Sequence, residues 1–532
     1  MAARFTAMSL CMPVLSFRLA ILPLHSLHTR FSGGFRIKDG IELSKIEHPP
    51  LDRPHEDLMF DEGAAALVEA LCAGGDARIT LNPATGLNKY YSAPYPRSVT
   101  AYSSSTISDI SLDAFSHLLA LQEQTEPSDY RAKLDAVKQR IGTAYDIADS
   151  VEFAFAPSGT DLEYIALATV FGRAEGGVHN VLLGADEIGS GCIHSAHGRY
   201  FAKETALGVA VEPARPVPGC EPISLVDIAV RCGDGKARSS REICAAMRSE
   251  VQAAVAENKH SLVHLVHGSK TGLVLPELAD LDALIEEFGE HATFVVDACQ
   301  ARITSQALAA YVERNCIVLL TGSKFIGAPP FSGMAILPKT LVQSAAALPE
   351  GYATIFNRAE FPQDWPGADH LPDGANPSLA LRLEAAAFEL DRFQRIRLPE
   401  VEAIIDGFEQ ALDLAVIEPL GVKRVLPHTE GREGRAQRRP IEMRTLVTLD
   451  VSMLPGLESF DDAQAVHKAM ALEGGLRLGQ PVKCVRQGEG WGGTLRVGLS
   501  MPMIVGFAAM GAERAIDSMR EDLSRITAWL TA

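Results

Sequence analysis

Cys316-Ile-Val-Leu-Leu-Thr-Gly-Ser-Lys-Phe-Ile-Gly-Ala-Pro-Pro-Phe-Ser-Gly333 reads as an apolar strand, a small-residue turn presenting Lys324, and a loop rich in Gly and Pro. A short aliphatic run bounded by turn formers suits a strand buried on both faces. Upstream, Phe294-Val-Val-Asp297 reads as a second such strand ending in an acid, followed by Ala-Cys-Gln300. An amine and a carboxylate delivered by successive strands are the parts needed where a lysine acts as nucleophile and a fixed negative charge holds a cationic ring.

The same alternation extends in both directions. Strands are expected at Val151–Phe155, Asn180–Leu183, Ser261–Val266, Thr293–Val296 and Ile317–Leu320, with a return strand at Met334–Leu337. Helices are expected at 160–171 and 278–288. Alternating helices and continuous apolar strands imply an α/β fold with a largely parallel sheet covered on both faces. Ahead of this region, helical spacing marks 61–73, 112–124 and 130–141. After Pro377 the pattern changes to a long helix at 378–395, strands at 444–450 and 494–499, a helix at 461–472 and a terminal helix. The expected division is an N-terminal extension (1–40), a segment contributing to an active-site wall and a small domain (41–130), a large domain (131–377) and a small α+β domain (378–532).

A chain of 532 residues is too long for one ordinary core. With 49 Lys plus Arg against 67 Asp plus Glu, its formal charge of −18 argues against a nucleic-acid or anionic-membrane binder. The basic run Gly431–Pro440 lacks aromatic interleaving and an apolar face, and reads as a solvated loop. The nine cysteines are scattered and form no C-x-x-C pair, so neither a disulfide framework nor a metal site is expected, and a reducing, cytoplasmic setting fits. No apolar stretch reaches membrane-spanning length. The first 38 residues contain Arg4, Arg18, Arg30 and Arg36 and no acid, as in a transit-like segment or a non-native start.

Ala156-Pro-Ser-Gly-Thr-Asp-Leu-Glu163 follows a strand and opens a helix, so Ser158, Gly159 and Thr160 can offer N–H groups and hydroxyls to a phosphate. Ser and Thr are also ordinary helix caps. Lys270, in His267-Gly-Ser-Lys-Thr-Gly272, lacks the spacing of a nucleotide-phosphate loop and precedes Asp297, so it reads as a turn residue. Asp297 has the competing reading of a helix cap. Gln300 is close enough in sequence to share a ligand with it, its amide bonding a phenolic oxygen.

Together Ser158-Gly-Thr160, Asp297-Ala-Cys-Gln300 and Gly322-Ser-Lys324, with Gly327 and Gly333, resemble the fold-type I pyridoxal phosphate-dependent enzymes, in their class V aminotransferase and cysteine desulfurase branch. The resemblance spans roughly Val151 to Arg496. It implies a PLP-dependent transferase fold with a seven-stranded-type sheet, pyridoxal 5'-phosphate as cofactor, an amino acid or amine substrate and a homodimer. It implies that Lys324 forms the Schiff base, that Asp297 keeps the pyridine nitrogen protonated, that Thr321 and Ser323 are secondary phosphate residues and that Arg496 orients a substrate carboxylate. The Gly-Thr-x-Asn segment of relatives is matched by Gly374-Ala-Asn376, without the threonine, and Ser323 stands where many relatives have histidine. His194 and His197 are candidates for stacking on the ring, and Asn88–Tyr95 for an active-site wall. Transamination is the first expectation; carbon–sulfur cleavage or desulfuration, with Cys484 as sulfur acceptor, is the alternative. A non-catalytic scaffold of the same fold is the rival from another class, and a nucleotide binder using 268–272 is more remote.

Overall fold

The computed structural model describes residues 62–103, 109–123, 129–188, 191–220, 222–427 and 440–532, with the backbone of Arg36–Ile37 and Ile41–Glu42. Nearly all of the N-terminal extension and of the basic run before Pro440 lies outside the described residues.

Eight strands form the large sheet: β1 (Val151–Ala156), β2 (Val178–Leu183), β3 (Ile223–Ile228), β4 (His260–His267), β5 (Val274–Leu275), β6 (Ala292–Asp297), β7 (Ile317–Thr321) and β8 (Gly333–Pro338). Seven lie side by side in the order β1-β8-β7-β6-β4-β2-β3, and β5 folds back on the end of β4 as a hairpin. The pairs β7/β6, β6/β4, β4/β2 and β2/β3 are parallel, while β8 runs antiparallel to both β7 and β1. This mostly parallel α/β sheet is the architecture that the sequence resemblance implies. Every residue of β4, β6, β7 and β8 is buried, and β6, β7 and β8 accordingly read as largely apolar runs, whereas β4 buries three histidines and a serine as well. The strand β3 escaped notice because it is an edge. Its Ile223-Ser-Leu-Val-Asp-Ile228 is half-exposed, and its polar residues break the apolar run. The helix Ser240–Ala256 and the hairpin strand β5 were likewise not anticipated.

The helix α1 (Gly159–Ala168) crosses β1, β7 and β8 and buries residues 160–168. Past residue 377 the chain forms α2 (Pro377–Gln394) and α3 (Leu398–Leu412), then an antiparallel sheet of β9 (Lys423–Val425), β10 (Leu446–Asp450) and β11 (Thr494–Gly498). The terminal helix α4 (Ala512–Thr531) packs on α3. The early segment Thr100–Tyr102 pairs in parallel with Leu476–Leu478, so the first and last parts of the chain share a small sheet. Among the described residues, no helix is long and apolar enough to cross a membrane.

Arg382 of α2 is completely buried. Its Nε donates to the Phe331 carbonyl at 2.8 Å. Its Nη atoms donate to the carbonyls of Leu71, Ala73 and Gly74 at 3.2, 2.6 and 2.9 Å. One guanidinium thus caps the C-terminal end of the helix Glu62–Leu71 and fixes the loop after Lys324. Burial pushes this guanidinium down to about 10. Arg382→Met should take a donor from four carbonyls, those of Phe331 and Leu71 in buried residues, and cost roughly 2–4 kcal/mol. Arg382→Lys should not restore stability, because one ammonium cannot span the fork. Urea midpoints of the two variants against the parent check this; a parent-like midpoint for either contradicts it.

Candidate active site

Parallel pairing sets Val266, Asp297 and Leu319 side by side at the carboxyl ends of β4, β6 and β7. Ligand sites of open α/β sheets form at such ends. The buried Asp297 accepts from the Cys299 backbone N–H through Oδ1 at 2.8 Å. No helix starts here: the next one begins at Ser305 with Thr304 as its cap. Asp297 therefore closes a turn at a strand end instead of capping a helix.

Lys324 lies half-buried in the turn that follows β7. The turn is pinned by Gly322 N–H to the Ser332 carbonyl (2.8 Å), Phe325 N–H to the Gln300 carbonyl (3.2 Å) and Ala328 N–H to the Gly322 carbonyl (2.9 Å). Gly322 is required, since a Cβ there would sit 2.6 Å from Ala386 and 2.7 Å from Ser332 Oγ. The charges of Lys324 and Asp297 both act on the Cys192 and Cys299 thiols, which places the four residues in one neighbourhood. Burial above all pushes both thiols up, helped by Glu163 and then Asp297 at Cys192 and by Asp297 at Cys299, while Lys324 opposes.

The start of α1 comes up against the same place. A Cβ on Gly159 would lie 3.2 Å from Cys299 Sγ and 3.3 Å from Thr321 Cγ2, so the helix start rests directly on the ends of β6 and β7. Ser158 caps the helix in a reciprocal box with Asp161, and its hydroxyl donates to Asp161 Oδ2 at 2.5 Å. Thr321 Oγ1 donates to the Cys299 carbonyl at 2.8 Å, tying the two strand ends together. Arg78, which sequence reading passed over, reaches in from the N-terminal segment. Its Nη2 donates to Ser158 Oγ at 3.1 Å and its Nη1 to Thr160 Oγ1 at 3.3 Å. No local pattern in Asp76-Ala-Arg-Ile-Thr80 marks this residue; only the tertiary contact reveals it.

Glu163 and His264 were also unanticipated. Both are buried between α1 and the sheet, with Glu163 Oε2 3.5 Å from His264 Nε2. Neither of these two atoms has a hydrogen-bond partner. Burial, then the charge of Asp297, pushes the Glu163 carboxyl well above its usual range, while burial pushes the His264 imidazole down to about 3. Both groups are therefore held neutral behind Asp297.

Other expected residues have structural partners. Gln300 Oε1 accepts from Arg302 Nη1 at 3.3 Å, and Ser323 is buried. Arg496, on β11, is 1% exposed. It donates to the Gln480 carbonyl at 2.6 Å and to the Lys270 carbonyl at 3.1 Å, and burial pushes it down to about 10. His197 bonds the Ile223 carbonyl at 2.8 Å, and His194 is exposed. Asn376 caps α2 through Leu379 N–H at 3.0 Å and donates to the Gly74 carbonyl at 2.9 Å. In Asn88–Tyr95, the half-buried Tyr90 lies in the field of Arg78. Cys484 is buried, and its thiol is pushed up to about 12. Among the described residues no cluster of His, Cys, Asp and Glu is placed to hold a metal.

No family model matches the chain, and no curated protein matches it. Solved structures resemble it in outline. The ureidoglycine-glyoxylate aminotransferase of Bacillus subtilis is 11% identical, over 80% of this chain and 93% of its own, with a TM-score of 0.47. The pyridoxamine-pyruvate aminotransferase of Mesorhizobium loti is 14% identical over 82% and 99%, with a TM-score of 0.46. A cysteine desulfurase of Thermococcus onnurineus is 13% identical over 78% and 94%, also at 0.46. These distant likenesses carry no argument, and the site stands on this chain's own geometry.

Between pH 6.5 and 3 the unfolded chain protonates His264 while the folded chain resists, so this residue makes stability fall as pH drops through that window. From pH 6.5 to 4.5 the loss from this one group is roughly 2–3 kcal/mol. His264→Gln should flatten the acid limb of a plot of urea midpoint against pH. An unaltered slope would show that His264 is already charged in the folded state.

Proposed function

We propose that this chain is a pyridoxal phosphate-dependent enzyme acting on an amino acid or related amine, and that it is an aminotransferase. The observation that carries this reading is the meeting, at adjacent strand ends, of Lys324, buried Asp297 and the start of α1 with its hydroxyls. The donor set fits the cofactor. A helix N-terminus, hydroxyls and a guanidinium suit a phosphate; a buried carboxylate suits a protonated ring nitrogen; an amine suits an aldehyde. When bound, the cofactor supplies an electron-withdrawing ring.

In this reading Lys324 anchors the cofactor and then moves the proton at the substrate's α-carbon. Asp297 fixes the proton on the ring nitrogen by its charge. With Glu163 and His264 neutral behind it, Asp297 supplies the negative charge of that cluster. Ser158, Gly159 and Thr160 would hold the phosphate, with Thr321, which lies against Gly159, and Ser323 as secondary phosphate residues. Gln300 would donate from its amide NH2 to the ring's phenolic oxygen while its Oε1 keeps Arg302. Arg496 would orient the substrate carboxylate after exchanging its bonds to the Gln480 and Lys270 carbonyls. A homodimer completing each site from two subunits, and a cytoplasmic location in keeping with the free cysteines, belong to the same reading.

Desulfuration ranks behind transamination because it needs an exposed thiolate. Cys484 is buried, and its thiol is held neutral. A non-catalytic role is disfavoured by the retention of both Lys324 and Asp297.

Spectral screening of the yellow holoprotein against amino acids tests the reaction class. Borohydride should fix the cofactor to Lys324, and a label in the peptide of Lys270 would overturn the assignment. Lys324→Ala should lower turnover about 10³-fold or more. Asp297→Asn should keep some bound cofactor and lose most turnover. Cys484→Ser should leave amino exchange unchanged; rapid sulfide release from cysteine, lost in that variant, would establish desulfuration instead.

A further inference from the structure

The geometry points to Arg78 as a cofactor-binding residue that reads the phosphate, supplied by the segment ahead of the large sheet and presented by Asp76. The inference rests on the functional reading above and adds to it the residue that separates phosphorylated from unphosphorylated forms of the ligand.

A guanidinium has two faces for pairing. In Arg78 the Nε side is taken by Asp76: Nε lies 2.8 and 3.0 Å from the two carboxylate oxygens, and Nη2 lies 2.6 Å from Oδ2. Asp76 also accepts from the Arg78 backbone N–H at 2.9 Å, so the acid grips both ends of the residue. The other side, Nη1 with Nη2, faces the hydroxyls of Thr160 and Ser158. Phe201 and Phe331 flank the guanidinium, with their ring centroids 5.1 and 4.9 Å from its Cζ. Two aromatic faces and a bidentate carboxylate leave the plane of the fork little freedom. The residue is thus fixed in orientation, with a pair of N–H donors turned toward the start of a ten-residue helix. An oxyanion placed there meets the helix dipole, the Thr160 hydroxyl and a preformed fork without any rotation of Arg78, and the Ser158 hydroxyl joins them when its proton turns from Asp161.

The arrangement also accounts for Asp76 and Asp161 beside an anion site. Asp76 is neutralised by the arginine that it orients. Asp161 is pushed up to about 6, by burial above all, so it takes on a proton readily when a second negative charge arrives.

The test compares pyridoxal 5'-phosphate with pyridoxal, each titrated spectroscopically into apoprotein. The parent should prefer the phosphorylated form. Arg78→Gln should lose about 10- to 100-fold of that preference while binding pyridoxal as the parent does. An undiminished preference in Arg78→Gln overturns the inference. If that variant fails to fold by circular dichroism, Arg78→Lys carries the test. It keeps the charge without the fork, so a reduced preference supports the inference and an unchanged one overturns it. If the parent binds neither aldehyde, the cofactor reading fails separately, and inorganic phosphate then decides. A rise in the parent's melting midpoint that Arg78→Gln lacks supports an anion site at Arg78. No rise, or the same rise in both, overturns it.

Discussion

The side-by-side pairing of Val266, Asp297 and Leu319 is the constraint on which the site depends. In parallel strands, residues in register point to the same face, so Asp297 lies on the face that α1 covers, as His264 does opposite Val295. A slip of one residue would turn the carboxylate to the opposite face and remove it from Lys324. The antiparallel β8 serves the same end. It brings the Gly- and Pro-rich loop back between β7 and β1, and Gly333 passes so close to the chain before α1 that a Cβ would lie 2.8 Å from the Ala156 carbonyl. Lysine turn, acid and helix start are thereby set by backbone pairing before any side chain contributes.

That part was legible in the sequence because its signals are local. Buried strands announce themselves as aliphatic runs, and Ser158, Asp297 and Lys324 each stand where such a run ends. The parts that escaped are long-range or polar. Arg78 meets Ser158 across 80 residues. The neutrality of Glu163 and His264 follows from burial that no spacing shows. The strand β3 alternates polar residues because it is an edge. Gln300 and Arg496 were singled out by position; Gln300 holds its near neighbour Arg302, whereas Arg496 also bonds the Lys270 carbonyl, 226 residues away, which no local pattern shows.

Three completely buried arginines join these segments. Arg302 lies over the Phe325 ring next to Lys324, and reaches Thr445 Oγ1 and the Leu499 carbonyl at 2.9 Å each. Arg496 reaches back to the Lys270 loop. Arg382 fastens the far side of the same lysine loop through Phe331. Burial pushes these guanidiniums down to between about 9 and about 10, the sign of a desolvation cost that neutral carbonyls only partly offset. Buried guanidiniums held by oxygens of several segments are poorly tolerated in any other arrangement, so these contacts favour one docking of the small sheet against the lysine turn over alternatives.

The clamp of Arg382 on Leu71, Ala73 and Gly74 also bears on how the chain is made. Its bonds close loops of 311, 309 and 308 residues. At a ribosomal rate of about 5–20 residues per second, some 15–60 s separate synthesis of the first carbonyl from that of its cation. During that interval the carbonyls of Leu71, Ala73 and Gly74 lack the guanidinium that holds them, and Asn376, which also holds Gly74, is equally absent. Those three carbonyls therefore rely on water until α2 is made, after the strands of the large sheet. This is the period in which a holding chaperone, or a protease, meets the segment that carries Arg78.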